Sequence, residues 1–468
     1  MNATNNEELV KRIAKLAKQN QELEDHIKKL EKQNEKLSRD YEKIKALYEK
    51  GSPEGLKETA EGEKKEKSLK FNMATVLFSD IHGFTKLVEG MDSSAIMDEL
   101  DEILFEFNAI VERYKIEKIH TIGDTFMCAG GIPSKNITNP IDVVMAALEM
   151  RNFLENYELK KRGAENRIWD LKIGIHTGPV IASVTGKKKI SYDIKGDTVN
   201  TASRVEAVSE KGTILISVMT YELVKEFFDC EYFGKLPVKY KDDLQMYRVI
   251  GLKPEFSVNG EGILPNEAFK IKFGLIQFTD IQEIILDKLE RELPGYLFYH
   301  NVKHTVDVVT EVELIGWGEG CTDEEILLLK TAGLFHDVGH IVVYDNHEYH
   351  GTVIAREILP KYNYSPEQIE KICAIIMSTK LPPQPTNLLE DIICDSDLDY
   401  LGRSDFIPVS NTLFEELKAQ NKMGSLNDWN KMQVKFISGH QYFTKTARSL
   451  REVNKQLQIE RIQSLITV

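Results

Sequence analysis

Two aspartates in the middle of the chain have the setting expected of cation ligands. The strand-like run TVLFSDI ends in Asp80 and Ile81, and Asp124 follows Gly123 between two short strand-like runs in 116–131. A strand end and a hairpin tip place side chains on loops, so both carboxylates are candidates for one shared site. Two such carboxylates suit hard divalent cations that accompany a triphosphate. Taken singly, each aspartate is more commonly a turn or cap residue.

The residues that follow Asp80 are candidates for phosphate binding. Gly83, Phe84 and Thr85 come directly after His82, and an amphipathic helical pattern begins there. The free N–H groups of a helix N-terminus attract anions. We therefore predict that Gly83, Phe84 and Thr85 contact a phosphorylated substrate.

An asparagine and an arginine form the next candidate pair. Asn200 and Arg204 lie four residues apart in YDIKGDTVNTASRVEA, residues 192–207, and so share one face of a predicted helix. An arginine displayed near two carboxylates suits a reaction that builds negative charge on phosphorus. The alternative for Arg204 is a surface ion pair.

Histidines are concentrated towards the C-terminus. Six of the eleven fall within 300–350, His336 is followed by Asp337, and Asp395 and Asp397 lie in ICDSDLDYLG. Imidazole and carboxylate groups together suit a first-row divalent metal that activates water. A lone histidine on an apolar helix is more often structural, but here several segments contribute. The six are His300, His304, His336, His340, His347 and His350.

The elements that must position these groups fall into separate parts of the chain. Residues 69–250 alternate short apolar strands with amphipathic helices, which predicts an α/β domain. Residues 268–468 are almost entirely helical in pattern, which predicts an all-α domain. Glycine, proline and charged runs mark linkers at 51–68 and 251–267.

The N-terminal segment 8–50 is a heptad repeat. Leucine or isoleucine recurs every seven residues from Leu9 to Ile44, and a second row that starts at Ile13 alternates isoleucine with asparagine before it ends in tyrosine. Leucine at d with isoleucine at a favours a parallel two-stranded coiled coil, and a buried asparagine fixes its register. We therefore expect a homodimer. A solvated single helix is the alternative.

The composition excludes several classes of protein. Of 468 residues 42% are hydrophobic, so a wholly disordered chain is excluded. The 60 basic and 74 acidic residues give a net charge of −14, which argues against nucleic acid as the main partner. The five cysteines lack any C-x-x-C spacing, and no apolar run reaches about 18 residues. We expect a cytoplasmic protein with reduced thiols, no membrane span and no nucleic-acid partner.

Four ordered motifs resemble the class III adenylyl and guanylyl cyclases. They are FSDIHGFT, TIGDTFM, IGIHTGPV and GDTVNTASRVEA, and the likeness covers about 71–250. The resemblance implies a ferredoxin-like α/β catalytic domain with two active sites at a homodimer interface. It also implies that Asp80 and Asp124, assisted by the backbone carbonyl of Ile81, bind two Mg²⁺ or Mn²⁺ ions per site.

The same resemblance implies roles for three further residues. Asn200 matches the residue that orients the ribose, and Arg204 matches the arginine that contacts the α-phosphate in the transition state. Lys239, in PVKYKDDLQMYRV, matches the lysine that contacts the terminal phosphates. The segment around Lys239 departs from the glycine-rich pattern of the family.

The choice of base depends on Asp193 and His120. Asp193 stands where adenylyl cyclases carry Asp and guanylyl cyclases usually carry a small thiol or polar residue. A carboxylate accepts a hydrogen bond from the adenine amino group and repels the guanine carbonyl oxygen. His120 stands where adenylyl cyclases usually carry Lys and guanylyl cyclases Glu, and its N–H can still donate to a ring nitrogen. We predict ATP as the substrate, with GTP as the alternative.

The order H…HD…D resembles the HD superfamily of metal-dependent phosphohydrolases, over about 268–410. The resemblance implies one or two divalent metals from the set Mn, Fe, Zn, Ni and Mg. The implied ligands are His304, His336, Asp337 and Asp397, with Asp395 as the rival for the last.

The string YHNVKH also resembles a signature of cyclic-nucleotide phosphodiesterases. In that family the first histidine of the string, here His300, is the general acid that protonates the leaving oxygen. His340, His347 and His350 keep two alternatives, a second metal or the substrate phosphate.

Three hypotheses follow for the whole chain. The first is a bifunctional enzyme, an adenylyl cyclase that makes cyclic AMP fused to an HD phosphohydrolase that hydrolyses a phosphoric ester, with a cyclic nucleotide as one candidate substrate. The second keeps the cyclase, using ATP or GTP, and makes the HD domain a ligand-binding regulator without turnover. The third is a signalling scaffold with an inactive cyclase, which the presence of Asp80, Asp124, Asn200 and Arg204 disfavours.

Overall fold

The part of the chain with a described structure leaves out several predicted features. The heptad segment 8–50 lies outside it, as do Lys239 and Gly83 to Thr85, so those predictions stay predictions. The structure is a computed structural model and describes residues 68–82, 93–162, 169–185, 191–237 and 243–467.

A mixed β-sheet forms the first half of the described chain. Its eight strands are β1 (Ser68–His82), β2 (Glu117–Ile122), β3 (Thr125–Gly130), β4 (Asp170–Thr185), β5 (Ser191–Lys195), β6 (Thr213–Ser217), β7 (Phe228–Leu236) and β8 (Leu244–Leu252).

The spatial order of the sheet is β2-β3-β1-β4-β6-β8-β7, and β5 pairs with β4. The pair β4 and β6 is parallel, and the other neighbouring strands are antiparallel. The long central strands β1 and β4 therefore carry the sheet, and the β2–β3 hairpin lies at one edge. This hairpin joins at Gly123 and Asp124, as the sequence predicts.

Helices cover both faces of the sheet. They are α1 (Ser93–Arg113), α2 (Asn139–Arg162), α3 (Asp197–Ala207) and α4 (Val218–Val224).

The period of two along β1 decides which core each of its side chains enters. Leu77 and Ile81 join the large core that contains Phe107 of α1 and the apolar face of α2. Val76, one residue out of phase, joins a smaller core with Ala202 of α3. The helix α3 therefore lies on the face of the sheet opposite α1 and α2.

The second half of the described chain is helical. Its α-helices are α5 (Glu267–Glu292), α6 (Val302–Gly318), α7 (Asp323–Phe335), α8 (His347–Ile358), α9 (Pro366–Ser378), α10 (Leu388–Asp397), α11 (Phe406–Ala419), α12 (Leu426–Gly439) and α13 (Lys445–Leu465).

Side-chain caps set the start of several of these helices. Asn301 precedes α6, and its side chain accepts hydrogen bonds from the N–H groups of Lys303 and His304. Thr322 forms a capping box with Glu325 at the start of α7. Such caps satisfy N–H groups that have no partner inside the helix. The cap at Asn301 matters for the site because it fixes the first turn, where His304 lies.

The predicted order of an α/β domain followed by an all-α domain is confirmed. Within the described residues, we find no helix with the length and apolar character that a bilayer crossing requires.

Candidate functional site

The two predicted cation-binding aspartates are brought together by the backbone. In the β1–β3 ladder Asp80 pairs with Thr125, the residue after Asp124. The N–H of Ile81 donates to the carbonyl oxygen of Asp124 at 3.2 Å. Gly123 has φ +61°, a left-handed conformation that a tight hairpin favours and glycine adopts without strain. The end of β1 and the tip of the β2–β3 hairpin are therefore neighbours in the sheet, and Asp80 and Asp124 both act electrostatically on one nearby side chain, Glu206.

A third carboxylate, Glu206 on α3, is close to these two aspartates. Burial raises the pKa of Glu206 to about 7, and the negative charges of Asp80 and Asp124 act in the same direction, while Lys172 opposes them. Lys172 lies directly opposite Asp80 in the β1–β4 ladder. Glu206 was not predicted from the sequence, although it lies only two residues beyond Arg204 in the same motif.

The helix α3 has one exposed and one buried face. Asn200 and Arg204 are exposed, whereas Ala202 and Val205 are buried. The predicted pair therefore shares a face, as its spacing of four residues requires. That face points away from the core of its own chain and is available to a phosphorylated ligand or to another subunit.

The two residues assigned to base choice are in contact. His120 on β2 and Asp193 on β5 face each other, with Nε2 and Oδ1 3.2 Å apart, and Lys195 Nζ lies 3.3 Å from the other carboxylate oxygen. Burial opposes ionisation of Asp193, but the hydrogen bonds from His120 and Lys195 outweigh it and lower the pKa of Asp193. This carboxyl group is therefore an ionised acceptor at neutral pH.

In the helical half, four side chains converge on one point. His304 Nε2 lies 3.1 Å from Asp397 Oδ1, 3.3 Å from His336 Nε2 and 3.4 Å from Asp337 Oδ2. His336 Nε2 lies 3.2 Å from Asp337 Oδ2 and 3.5 Å from Asp397 Oδ1. These residues come from the first turn of α6, the end of α7 and the last residue of α10.

This cluster fits a divalent metal. Two ligand atoms that each lie about 2.1 Å from one ion are about 3 Å apart, close to the distances here. His336 Nδ1 donates to the carbonyl oxygen of Gly333 at 2.7 Å, which leaves Nε2 free as a ligand. Asp337 Oδ2 is buried and has no hydrogen-bond partner among the described residues.

The negative charges of Asp337 and Asp397 also favour a cation at the cluster. Burial disfavours a charged His336, but Asp337 and Asp397 outweigh it and raise the pKa of His336. Burial likewise opposes ionisation of both aspartates, but the adjacent histidines, His336 and His304 among them, hold their pKa values low. Two buried carboxylates that stabilise a proton on imidazole would stabilise a metal cation in the same place.

The other oxygen of Asp337 faces two further histidines. Asp337 Oδ1 lies 3.3 Å from His347 Nε2 and 3.7 Å from His340 Nε2. The His340 and His347 rings are stacked with centroids 3.8 Å apart. Burial lowers the pKa of His340 to about 3, so this ring is neutral, and neither of its nitrogens has a hydrogen-bond partner within the described chain. Asp337 therefore lies between two groups of nitrogen ligands.

Of the two candidate aspartates on α10, the structure brings Asp397 to the cluster and directs Asp395 elsewhere. Asp395 is buried and accepts hydrogen bonds from the N–H groups of Phe443 and Thr444, at 2.9 and 2.8 Å, and from the Thr444 hydroxyl at 2.8 Å. It thus fixes the segment that leads into α13. His350 is not in the cluster, and its ring lies beside that of Tyr349 at 5.5 Å.

The predicted general acid, His300, is held by a buried glutamate. His300 Nδ1 lies 2.5 Å from Glu416 Oε1, and Glu416 Oε2 accepts from the backbone N–H groups of Tyr299 and His300 at 2.9 and 3.1 Å. Burial opposes ionisation of Glu416, but the hydrogen bond and charge of His300, together with the backbone N–H groups of Tyr299 and His300, outweigh burial and lower the pKa of Glu416. Glu416 was not predicted from the sequence because it lies 116 residues beyond its partner.

A cavity of about 320 Å³ opens beside this histidine. His300, His340, His347 and Asp397 line one side, and α12 supplies much of the other with Trp429, Gln433 and Phe436. These three residues are spaced i, i+4 and i+7, so they share one helical face. The same spacing in the sequence indicates that these three residues lie on one side of a helix. The volume is in the range of small-molecule sites, about 300–1,000 Å³.

Comparison with protein families finds two matches in the chain. The model for the adenylate and guanylate cyclase catalytic domain matches residues 66–251. The model for the HD domain matches residues 301–400. The first contains the aspartate pair and α3, and the second contains the four-ligand cluster.

Individual relatives match the first of these regions. A receptor-type guanylate cyclase, gcy-8 of Caenorhabditis elegans, is 36% identical over 191 residues, which are 40% of this chain and 16% of that protein. An adenylate cyclase of Mycobacterium bovis is 33% identical over 184 residues, which are 39% of this chain and 41% of that protein. The chain thus spans less than half the length of either relative. The crystal structure of the adenylyl cyclase CyaB from P. aeruginosa is 31% identical and is covered completely by 42% of this chain, with a TM-score of 0.37.

Proposed function

Since residues 66–251 are a class III cyclase catalytic domain and residues 301–400 an HD domain, we propose that this chain both makes and hydrolyses a cyclic nucleotide. The proposed cyclase substrate is ATP, and the proposed substrate of the HD domain is cyclic AMP. The observation that carries the second half is the convergence of His304, His336, Asp337 and Asp397 beside His300 and an apolar cavity.

In the cyclase half, Asp80 and Asp124 are the residues proposed to hold divalent cations. A pair of Mg²⁺ or Mn²⁺ ions bound there would supply Lewis-acid chemistry, lowering the pKa of the ribose 3′-hydroxyl and neutralising triphosphate charge. The reaction joins the 3′-oxygen to the α-phosphorus and breaks the bond to pyrophosphate, while the hydroxyl proton passes to solvent. Positioning and charge stabilisation account for most of such catalysis.

Asn200 and Arg204 are proposed to act from a second subunit. Their face of α3 is exposed, and a positively charged guanidinium suits the charge that develops on the α-phosphate. A homodimer would place each such face against the aspartates of the other chain. The predicted coiled coil would serve the same purpose by holding two chains in parallel.

The preference for ATP rests on Asp193. Its ionised carboxyl group accepts hydrogen bonds, so it can accept from the adenine 6-amino group, whereas it repels the guanine 6-carbonyl oxygen. The contact with His120 of β2 holds this acceptor on β5 in place.

In the HD half, His304, His336, Asp337 and Asp397 are proposed to hold a metal, with His340 and His347 beside a second position. Metal bound there would activate water for attack on phosphorus. The attack forms a phosphorus–oxygen bond and breaks the bond to the 3′-oxygen of a cyclic phosphate. His300 is proposed to donate the proton that this leaving oxygen takes up, while Glu416 stabilises the charged imidazole.

The cavity beside His300 is proposed to hold the purine of the substrate. Its walls are mostly apolar and aromatic, which suits a flat base. Gln433 adds a polar group, and its orientation is fixed because Ser410 donates to Gln433 Oε1 and the Trp429 indole donates to Ser410 at 3.2 Å. An amide held in this way can exchange hydrogen bonds with a purine edge.

The test follows formation and decay of the cyclic product in the purified full-length protein with Mn²⁺ and ATP or GTP. We expect cyclic AMP to form and then to fall as AMP appears. Asp80→Ala should abolish formation, yet leave hydrolysis of added cyclic AMP unchanged. His300→Ala should leave formation of cyclic AMP unchanged and lower its hydrolysis by about 100-fold or more.

His350→Ala is the matched control, because His350 is a histidine on the same helix as His347 but lies outside the cluster. It should leave both reactions unchanged. Absence of a cyclic product from either nucleotide would contradict the cyclase assignment. Absence of hydrolysis of cyclic AMP with a normal cyclase rate would instead favour a regulatory, non-hydrolysing HD domain.

A further inference from the structure

One helix, α5, contributes to the hydrophobic cores of both halves. Its first turns carry Phe269, which packs edge-to-face on Phe227 of the sheet domain with centroids 5.2 Å apart. Its later turns carry Phe278 and Ile281, which belong to the core of the helical half. No break interrupts the helix between these positions. One uninterrupted helix therefore joins the two cores, so a displacement of one half can pass along it to the other.

Midway along α5 a buried carboxylate binds the backbone of the cyclase domain. Both oxygens of Asp280 accept from the N–H of Ile137, at 3.0 and 3.2 Å. Asp280 is only 6% exposed, so it depends on this donor for compensation of its burial. Ile137 lies in the loop between β3 and α2, which we call the β3–α2 loop (residues 131–138).

The β3–α2 loop is firmly connected to the cyclase site. At one end it continues β3, which begins at Thr125, directly after Asp124. At the other end Asn139 Oδ1 accepts from the hydroxyl of Thr75 at 2.6 Å, in the middle of β1, the strand that carries Asp80. A shift of this loop would thus move both strands that present the aspartates.

The helical side of the same interface is connected to the group His304, His336, Asp337 and Asp397, which we call the HD cluster. The helix α8 starts at His347, beside Asp337, and is followed by a short turn, Leu359–Tyr362. In that turn the carbonyl oxygen of Lys361 accepts from Lys115 Nζ, on the cyclase side. The start of α8 therefore lies beside Asp337, and the turn that follows α8 contacts the cyclase domain.

We propose that the contact of Asp280 with the β3–α2 loop couples the occupancy of the HD cluster to the rate of the cyclase in the same chain. This inference rests on the proposed function. It assigns Asp280 as a positioning residue that touches neither substrate. Coupling between two sites of one protein commonly amounts to about 5–150-fold.

The test is a double-mutant cycle on the cyclase rate of the full-length protein. The rate is measured as pyrophosphate release from ATP or GTP with Mn²⁺, because hydrolysis of the cyclic product does not alter that quantity. Asp397→Asn perturbs the HD cluster and should change the rate about fivefold or more. Combined with Asp280→Ala, the same substitution should change it less than about twofold.

Glu283→Ala is the matched control, since Glu283 is an exposed acid three residues further along the same helix. In that background Asp397→Asn should keep its full effect. An effect of equal size with and without Asp280 would overturn the coupling, as would no effect of Asp397→Asn in the otherwise unchanged protein. Absence of pyrophosphate release would contradict the proposed cyclase rather than the coupling.

A second measurement tests the coupling without any catalysis. In the Asp80→Ala protein, whose cyclase cation site is disabled, Mn²⁺ binding is followed by electron paramagnetic resonance, and amide hydrogen exchange is measured for residues 131–138. Exchange should slow by about threefold or more on Mn²⁺ binding. With Asp280→Ala added, Mn²⁺ should bind without that change. Unchanged exchange in the Asp80→Ala protein with Mn²⁺ bound would refute the proposal.

Discussion

Buried carboxyl groups in this chain differ in charge according to the donors around them. Glu416 receives hydrogen bonds from two backbone N–H groups and from His300, which outweigh its burial and lower the pKa of Glu416. Asp142 receives hydrogen bonds from Thr138 and Asn136, yet burial dominates and raises the pKa of Asp142 to about 7. The first group is ionised at neutral pH, and the second titrates there.

Asp142 should make the stability of the protein depend on pH. An unfolded aspartate ionises near pH 4, so the folded state holds the proton more tightly between about pH 4 and pH 7. Stability from this group is therefore present at the acid end and is lost as pH rises through about 7. We expect Asp142→Asn, which keeps an acceptor without the charge, to raise the thermal midpoint relative to the unchanged protein more at pH 8 than at pH 5.5.

The thermal midpoint should be measured for both proteins by calorimetry at the two pH values. Asp229→Asn, a change at an exposed aspartate, is the control and should show no such difference between pH values. A midpoint difference for Asp142→Asn that is equal at both pH values would contradict the assignment.

At the residue scale, the sequence predicts which polar side chains come together better than it predicts the hydrogen-bond partners that orient them. The resemblance implies His304, His336, Asp337 and Asp397 as metal ligands; the structure brings these side chains together, and their role as ligands stays a prediction. The partner of His300 could not be found in the same way. Glu416 reaches it only through the packing of α11 against the residues before α6, which no local pattern encodes.

At the scale of elements, α3 depends on an absent side chain in β4. A Cβ atom on Gly174 would lie 2.0 Å from the backbone nitrogen of Glu206. The helix that carries Arg204 and Glu206 can approach the sheet this closely only because position 174 has no side chain.

Gly174→Ala should therefore push α3 away from the sheet. We expect a loss of stability of about 1–3 kcal/mol, the usual cost of overpacking, together with a lower cyclase rate. Hydrolysis of cyclic AMP should be unaffected. Calorimetry and the two activity assays measure these effects, with Gly295→Ala as the control, because a Cβ there meets no atom within 4 Å. Equal effects of the two substitutions would show that the close approach is not important.

The hydrophobic periodicity and the turn residues are enough to predict the alternation of strands and helices and the β2–β3 hairpin. The helical character of residues after 268 was predicted in the same way. For the face of α12 with Trp429, Gln433 and Phe436, the sequence indicates only an amphipathic helix. Periodicity shows that such a face is buried or lines a cavity, but only the neighbouring helices decide which.

At the scale of the whole molecule, the HD cluster concentrates charge in a buried place. Removal of a bound divalent metal should leave the charges of Asp337 and Asp397 to be compensated only by neighbouring protonated histidines such as His336. Dialysis against a chelator should lower the thermal midpoint by about 5 °C, and added Mn²⁺ should restore it. Asp337→Asn should abolish the shift, whereas Asp80→Ala should retain it. A shift of full size in Asp337→Asn would contradict the ligand assignment.

The continuity of α5 has a consequence for dissection of the two proposed activities. A fragment that ends before the helix would expose the aromatic surface of Phe227 and Phe256, and a fragment that begins with it would carry Phe269 and Phe273 uncovered. Neither fragment would have a complete hydrophobic core. Point substitutions rather than truncations are thus the sound route to separate the two chemistries, and any exchange of one half for that of a relative must carry this helix along intact.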